Sequence, residues 1–192
     1  MLRAHRLAPA VATVVLAAAA LATAGTAHAA PARTAVAPHT GAALDATCSQ
    51  AYLPLPDPSC TPGATNPDVT QDTIDSTICV SGYSTSIRPS TTYTNRLKVQ
   101  QIAQYGYADT STADYEEDHF IPLSLGGNPT DPNNLWPEPR YATGASGLYS
   151  TDKDTVEYKL YRAVCNHQVD LVPAQQAIVN DWTTALSVLG LG

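Results

Sequence analysis

Asp118 and His119 stand side by side in the run Asp114-Tyr115-Glu116-Glu117-Asp118-His119-Phe120-Ile121-Pro122-Leu123, and Asn134 follows His119 by 15 positions. A neutral imidazole accepts a proton near pH 7, so His119 suits the activation of a nucleophile. Further along, Lys153, Asp154 and Glu157 fall within five residues. On a helix, Asp154 and Glu157 share a face at i,i+3, and Lys153 and Glu157 pair at i,i+4. The ordinary reading of the second pair is a surface ion pair worth a few tenths of a kcal/mol. The ordinary reading of His119 is a partly buried imidazole hydrogen-bonded by Glu117 or Asn134.

These side chains need elements to hold them. Two apolar-alternating runs flank the stretch Ser124 to Asn133, which is rich in Gly, Pro, Asn and Asp. That composition predicts two strands joined by a wide turn. Gly126 and Gly127 supply positive φ in that turn, and Trp136 is a core residue. Asp152 to about Asn166 predicts a helix capped by Thr151 or Asp152, with Val156, Leu160, Ala163 and Val164 as its apolar stripe. Neighbours on a strand point to opposite faces, so Asp118 and His119 share a cleft only where the strand twists or bulges.

Strand, loop, strand and helix, with Asp-His on the first strand and Asn near the second, resembles the HNH endonucleases, also called ββα-metal or His-Me finger enzymes. The resemblance covers roughly Tyr115 to Tyr161. It implies a metal-dependent nuclease that hydrolyses phosphodiester bonds in DNA or RNA. Asp118 becomes a metal ligand and His119 the general base. Asn134 ties the loop to the base's backbone or polarises its imidazole. These enzymes usually carry a metal-binding His on the helix. Here no His occurs between His119 and His167, so Glu157 and Asp154 are the candidate ligands. Carboxylates favour a hard cation, Mg²⁺ first, with Ca²⁺ or Mn²⁺ as alternatives. Lys153 lies near a bound phosphate or pairs with Glu157. Glu157 sits about 100° round the helix from Val156. His119 is then expected at the edge of a cleft, with Asp118, Asn134 and Glu157 within reach of one ion or water cluster.

The start of the chain reads as a secretory signal peptide over residues 1–29. Met1 to Arg6 is a basic n-region, Val11 to Ala24 an apolar h-region, and Ala27-His28-Ala29 the cleavage site. Ala30 to Thr47 reads as a disordered tail, and residues 48–192 as one HNH-like domain. A secreted protein with no membrane span and a monomeric state is expected. Cys48, Cys60, Cys79 and Cys165 make an even number, which in a secreted chain predicts two disulfides among three connectivities. The preferred pairing is Cys48–Cys60, which is local, with Cys79–Cys165 joining an early strand to the late helix. Without Arg3 and Arg6, 8 basic residues face 17 acidic ones, a net charge of −9. Such acidity opposes non-specific phosphate binding. Arg88, Arg96 and Lys98 form a local cluster that offsets it, although Arg96 and Lys98 also fit a solvated helix face.

The remaining segments predict packing material. The five prolines between Cys48 and Asp72 make residues 48–72 an irregular arm. Ser76 to Tyr83 reads as a strand with Ile78 and Val80 on one face. A helix starts after Pro89 with Ser90 or Thr91 as cap, ends at Gly106, and buries Leu97, Val99, Ile102 and Ala103. Pro173 opens a last helix running to about Leu186, with Ala174, Ala177, Ile178 and Trp182 inward. His167 is a surface residue. The fold class is α+β: a small antiparallel hairpin and its helix, packed with two further helices and stabilised by disulfides.

The nucleic-acid substrate follows from the resemblance alone. A different class of function is a non-catalytic secreted module that keeps the ββα fold and binds a cell-wall polymer or a partner protein. A third reading is a Ca²⁺-stabilised domain using Glu116, Glu117, Asp118 and Asp131, although no D-x-D-x-D-G loop is present.

Overall fold

The computed structural model describes residues 48–192; the signal peptide and tail expected before Cys48 lie outside them. The chain folds as β1 (Tyr115–His119) and β2 (Leu135–Pro139), surrounded by five helices. These are α1 (Tyr83–Ile87), α2 (Thr91–Gln104), α3 (Ser150–Cys165), α4 (Leu171–Asp181) and α5 (Ala185–Val188). The strands pair antiparallel in a register that sets Tyr115 opposite Pro139, Glu116 opposite Glu138 and His119 opposite Leu135. Among the described residues each strand has one neighbour. Phe120 N–H donates to Asn134 O and Arg140 N–H to Asp114 O, which leaves Pro137 and Pro139 at the non-hydrogen-bonded positions of the pair, where the missing N–H would have pointed away from β1. The α+β class, the two-stranded antiparallel sheet and the disulfides agree with the sequence expectation.

Both expected disulfides are present, Cys48–Cys60 and Cys79–Cys165. The second joins the turn before α1 to the last residue of α3, and so fixes the helix that carries Lys153 and Glu157. Cys79 is not in a strand, however. Cys79 N–H donates to Ile74 O and Val80 N–H to Thr77 O, so the backbone there closes on itself in successive turns. Ile78 is buried while Val80 is 47% exposed, which breaks the alternation expected over Ser76–Tyr83. With no strand beside it to accept its hydrogen bonds, the segment satisfies them locally.

Ser90 caps α2, its hydroxyl accepting from Tyr93 N–H, and Gly106 follows the helix with φ +62°. The helix buries Leu97, Gln101 and Ile102, whereas Val99 and Ala103 face out. Gln101 takes an inward place because its Nε2 donates to Leu135 O at 2.7 Å on β2. In α3, Asp152 sits in the first turn and accepts from Tyr149 N–H at 2.8 Å. Leu160, Ala163 and Val164 are buried there and Val156 packs at the margin. The last helix breaks in two after Asp181. Pro173 is the third residue of α4, still in the first turn, where its missing N–H had no intrahelical partner to lose.

The core gathers Trp136, Trp182, Tyr115, Ile121, Leu125, Leu160 and Ile178. Buried Trp182 donates its indole N–H to Pro54 O at 3.1 Å, tying the proline-rich arm to the end of α4. Among the described residues, no helix is long and apolar enough to cross a membrane.

Candidate functional site

The loop between the strands, Phe120 to Asn134, is folded back by one side chain. Asn134 is fully buried. Its Oδ1 accepts from Ile121 N–H at 2.9 Å. Its Nδ2 donates to Ile121 O and to Asn128 O, both at 3.0 Å. The amide thus replaces the backbone partners that the loop residues lack. Two glycines make the close approach sterically allowed. Gly126 takes φ +74°. Gly127 has no positive φ, against the sequence expectation; a Cβ there would overlap the Ile121 carbonyl oxygen. Asn134 therefore ties the loop to the backbone just after His119, and its hydrogen bonds go to that backbone and not to the imidazole.

The folded loop brings the Pro129 carbonyl to His119, whose Nε2 lies 3.0 Å from it. A carbonyl only accepts, so Nε2 carries the hydrogen. In the neutral ring the lone pair is then on Nδ1. Burial keeps the imidazole pKa below its ordinary value, with Arg88 and Lys153 adding to the effect against the Pro129 bond and Asp118. His119 is neutral at pH 7, a proton acceptor at a fixed tautomer. It is also 4% exposed, so its Nδ1 is sheltered and not at the rim of an open cleft.

Asp118 turns towards α3, as strand alternation requires. There it meets Lys153. The ammonium donates to Asp118 Oδ2 at 2.6 Å, to the His119 carbonyl at 3.3 Å, and to Glu157 Oε1. Lys153 is completely buried, not a surface partner of Glu157. Burial alone would lower its pKa, but Asp118, Glu157 and Glu138 outweigh it and raise it well above the usual lysine value. Burial pushes the Glu157 carboxyl up to about 8 against the pull of Lys153. Glu138 is likewise raised by burial, then by Asp118. Glu116 and Asp154, at the edge of the group, are raised by burial and by Asp118. Arg140 reaches Glu116 at 3.0 Å on the exposed side.

The structure thus brings Asp118 and Glu157 together, as expected, but around the amine of Lys153. Asn134 is not part of that group. Asp154 is exposed and feels the charges of Asp118 and Lys153 from the edge of the group. Among the described residues no group of three or more His, Cys, Asp or Glu side chains is arranged to hold a metal ion. Lys153 takes one oxygen of Asp118 and one of Glu157 and sets a buried positive charge between them, so the site as it stands does not fit a divalent ion. Glu138 and the Pro129 carbonyl escaped the sequence reading. Glu138 had a signal, since its pairing with Glu116 puts two carboxylates opposite each other. A backbone carbonyl has none.

The side of β1 away from Lys153 has different chemistry. Glu117 shares the strand face of His119. Both its carboxylate oxygens are buried without a hydrogen-bond partner, and burial pushes its pKa up to about 9 despite Lys98. Lys98 is half-buried and donates to the carbonyls of Thr112 and Tyr115 at 3.2 and 3.0 Å. Tyr93 donates to Thr130 O at 2.6 Å, pinning α2 to the loop one residue beyond Pro129. A cavity of about 310 Å³ lined by Cys79, Tyr83, Ser124 and Tyr161 lies elsewhere and includes none of the residues above.

Comparison with known proteins finds no matching family model, no similar curated protein and no similar solved structure.

Proposed function

We propose that this is a secreted hydrolase of phosphodiester bonds in DNA or RNA, built on a ββα arrangement of β1, β2 and α3. The observation that carries the reading is the hydrogen bond from His119 Nε2 to the Pro129 carbonyl. It leaves Nδ1 of a neutral imidazole as the acceptor, the state a general base needs. In the reaction Nδ1 takes a proton from water as the water oxygen bonds to phosphorus. The ester P–O bond breaks and the leaving oxygen gains a proton through exchange with solvent. Asn134 is a positioning residue, since it holds the loop that holds the imidazole. Asp118 and Lys153 brace the strand end that bears His119.

The divalent ion that the resemblance implies, Mg²⁺ foremost, would fall to Asp118 and Glu157, with Asp154 nearby, only if Lys153 withdrew from them. It would supply positive charge beside the phosphate. Lys153 occupies that place, so no step is drawn through the ion. The test is degradation of plasmid DNA and of RNA by the purified chain, with Mg²⁺ and with EDTA, beside His119→Ala. Degradation of either substrate that His119→Ala abolishes supports the proposal, and the comparison of Mg²⁺ with EDTA shows whether a metal takes part. Intact substrates under every condition sink it.

The second reading is a secreted, non-catalytic module that binds a cell-wall polymer or a partner protein. The sheltering of His119 and the neutralisation of Asp118 by Lys153 favour it, as does the acidic composition. Retention on cell-wall material with no nuclease activity is its expected result.

A further inference from the structure

We infer that Lys153 is the resident cation of this site, its ammonium filling the place between Asp118, Glu157 and the His119 carbonyl that a divalent ion would otherwise take. The inference rests on the reading above only in treating Asp118 and Glu157 as the ligands. Three oxygens converge on Nζ, two from carboxylates and one from the backbone. That is a donor set for a hard cation. They come from two elements, β1 and α3, so one charge links strand to helix. The amine is sealed, with no exposure to solvent, and its positive charge opposes a divalent ion at the same carboxylates. Among the described residues, side chains alone do not make a three-ligand group; the third oxygen here is the main-chain carbonyl of His119.

Two consequences follow. The wild-type chain binds no divalent ion at Asp118. Removing the amine exposes an oxygen set whose spacing was made for an ammonium. The bonds to Asp118 Oδ2 and His119 O are 2.6 and 3.3 Å. Mg²⁺ demands a near-octahedral set at about 2.0–2.1 Å, whereas Ca²⁺ takes irregular sets of carboxylate and carbonyl oxygens at about 2.3–2.6 Å. The opened site therefore prefers Ca²⁺ to Mg²⁺.

The experiment is calorimetric titration of the full chain with Ca²⁺, Mg²⁺ and Mn²⁺, with Mn²⁺ resonance as a second readout. Wild type, Lys153→Ala, Lys153→Met and Asp118→Asn are compared. Wild type is expected to show no site, and its melting temperature to be the same in Ca²⁺ and EDTA. Lys153→Ala is expected to bind one Ca²⁺ at least about tenfold more tightly than wild type and to gain melting temperature with it. Lys153→Met fills the space without charge and gains nothing. One stoichiometric ion on wild type, lost in Asp118→Asn, overturns the inference. So does a Lys153→Ala chain that Ca²⁺ neither binds nor refolds. Nuclease activity is scored separately. Activity undiminished in EDTA supports the resident cation, whereas an inactive chain without a metal site leaves it standing and removes the nuclease.

Discussion

His119 and Pro129 are joined across the loop by a 3.0 Å hydrogen bond from imidazole to carbonyl, and this one contact decides which ring nitrogen is basic. Glu117 shares the face of His119 but takes no part in that bond. Asn134 folds the loop that carries Pro129, and Tyr93 pins it one residue further on.

The first prediction concerns the pH profile. Burial holds the His119 pKa below its ordinary value of 6.5. The catalysed rate is expected to have an acid limb with its midpoint below 6.5, and to be level near pH 7. Arg88→Ala removes a cation that disfavours protonation and is expected to move the limb to higher pH. A limb centred above 7 would remove His119 from the role of base.

Asn134→Ala strips partners from the Ile121 N–H, the Ile121 carbonyl and the Asn128 carbonyl. Unpaired buried groups cost about 1–3 kcal/mol each, with partial relaxation, so a loss of about 2–4 kcal/mol is expected from urea denaturation. Asn134→Asp keeps the acceptor but sets a carboxylate against two carbonyls, and is expected to be no better. A variant with wild-type stability would show that the loop holds itself.

Glu117 gives a pH dependence of stability. Its folded pKa of about 9 lies above its ordinary 4.5, so between these values the native chain keeps a proton that the unfolded chain has released. Stability from this group is complete below pH 4.5 and is lost as pH rises through 9. Glu157, at about 8, acts in the same direction. His119 acts oppositely, its contribution falling as pH drops below 6.5. Glu117→Gln is expected to lose roughly 1–3 kcal/mol less than wild type between pH 5 and pH 8, read from denaturation midpoints. Equal losses in both chains would show that Glu117 is not held protonated.

The Cys79–Cys165 bridge spans 86 positions. Closing a loop of that order stabilises a chain by about 4–5 kcal/mol in the chain-entropy model, against about 3 for a loop of the Cys48–Cys60 kind. Cys79→Ala with Cys165→Ala is therefore expected to lower thermal stability more than Cys48→Ala with Cys60→Ala. The reverse order would show that the proline-rich arm, not α3, is the part most in need of a covalent tie.

The sequence by itself determined the features that depend on local chemistry or on counting. Ser90 before a helical pattern marked the start of α2, because a hydroxyl there meets a free N–H wherever the helix packs. Four cysteines determined that two disulfides form and favoured the local Cys48–Cys60 pair, and the structure decided among the three connectivities. The polar, glycine-bearing stretch between two apolar runs determined a hairpin with a wide loop, while the resemblance left Asn134 either tying that loop or polarising the imidazole, and the structure shows the first. Tertiary structure decided the rest. Ser76–Tyr83 has strand composition, but a strand exists only beside another, and none is there. Lys153 and Glu157 have the spacing of a surface pair. They are buried because β1 and β2 bring Asp118 and Glu138 against α3, and a lysine enters a core only where such charges meet it. The partner of His119 is a main-chain carbonyl, which every residue possesses and no sequence distinguishes. Its position depends on how the loop from Phe120 to Asn134 closes in space.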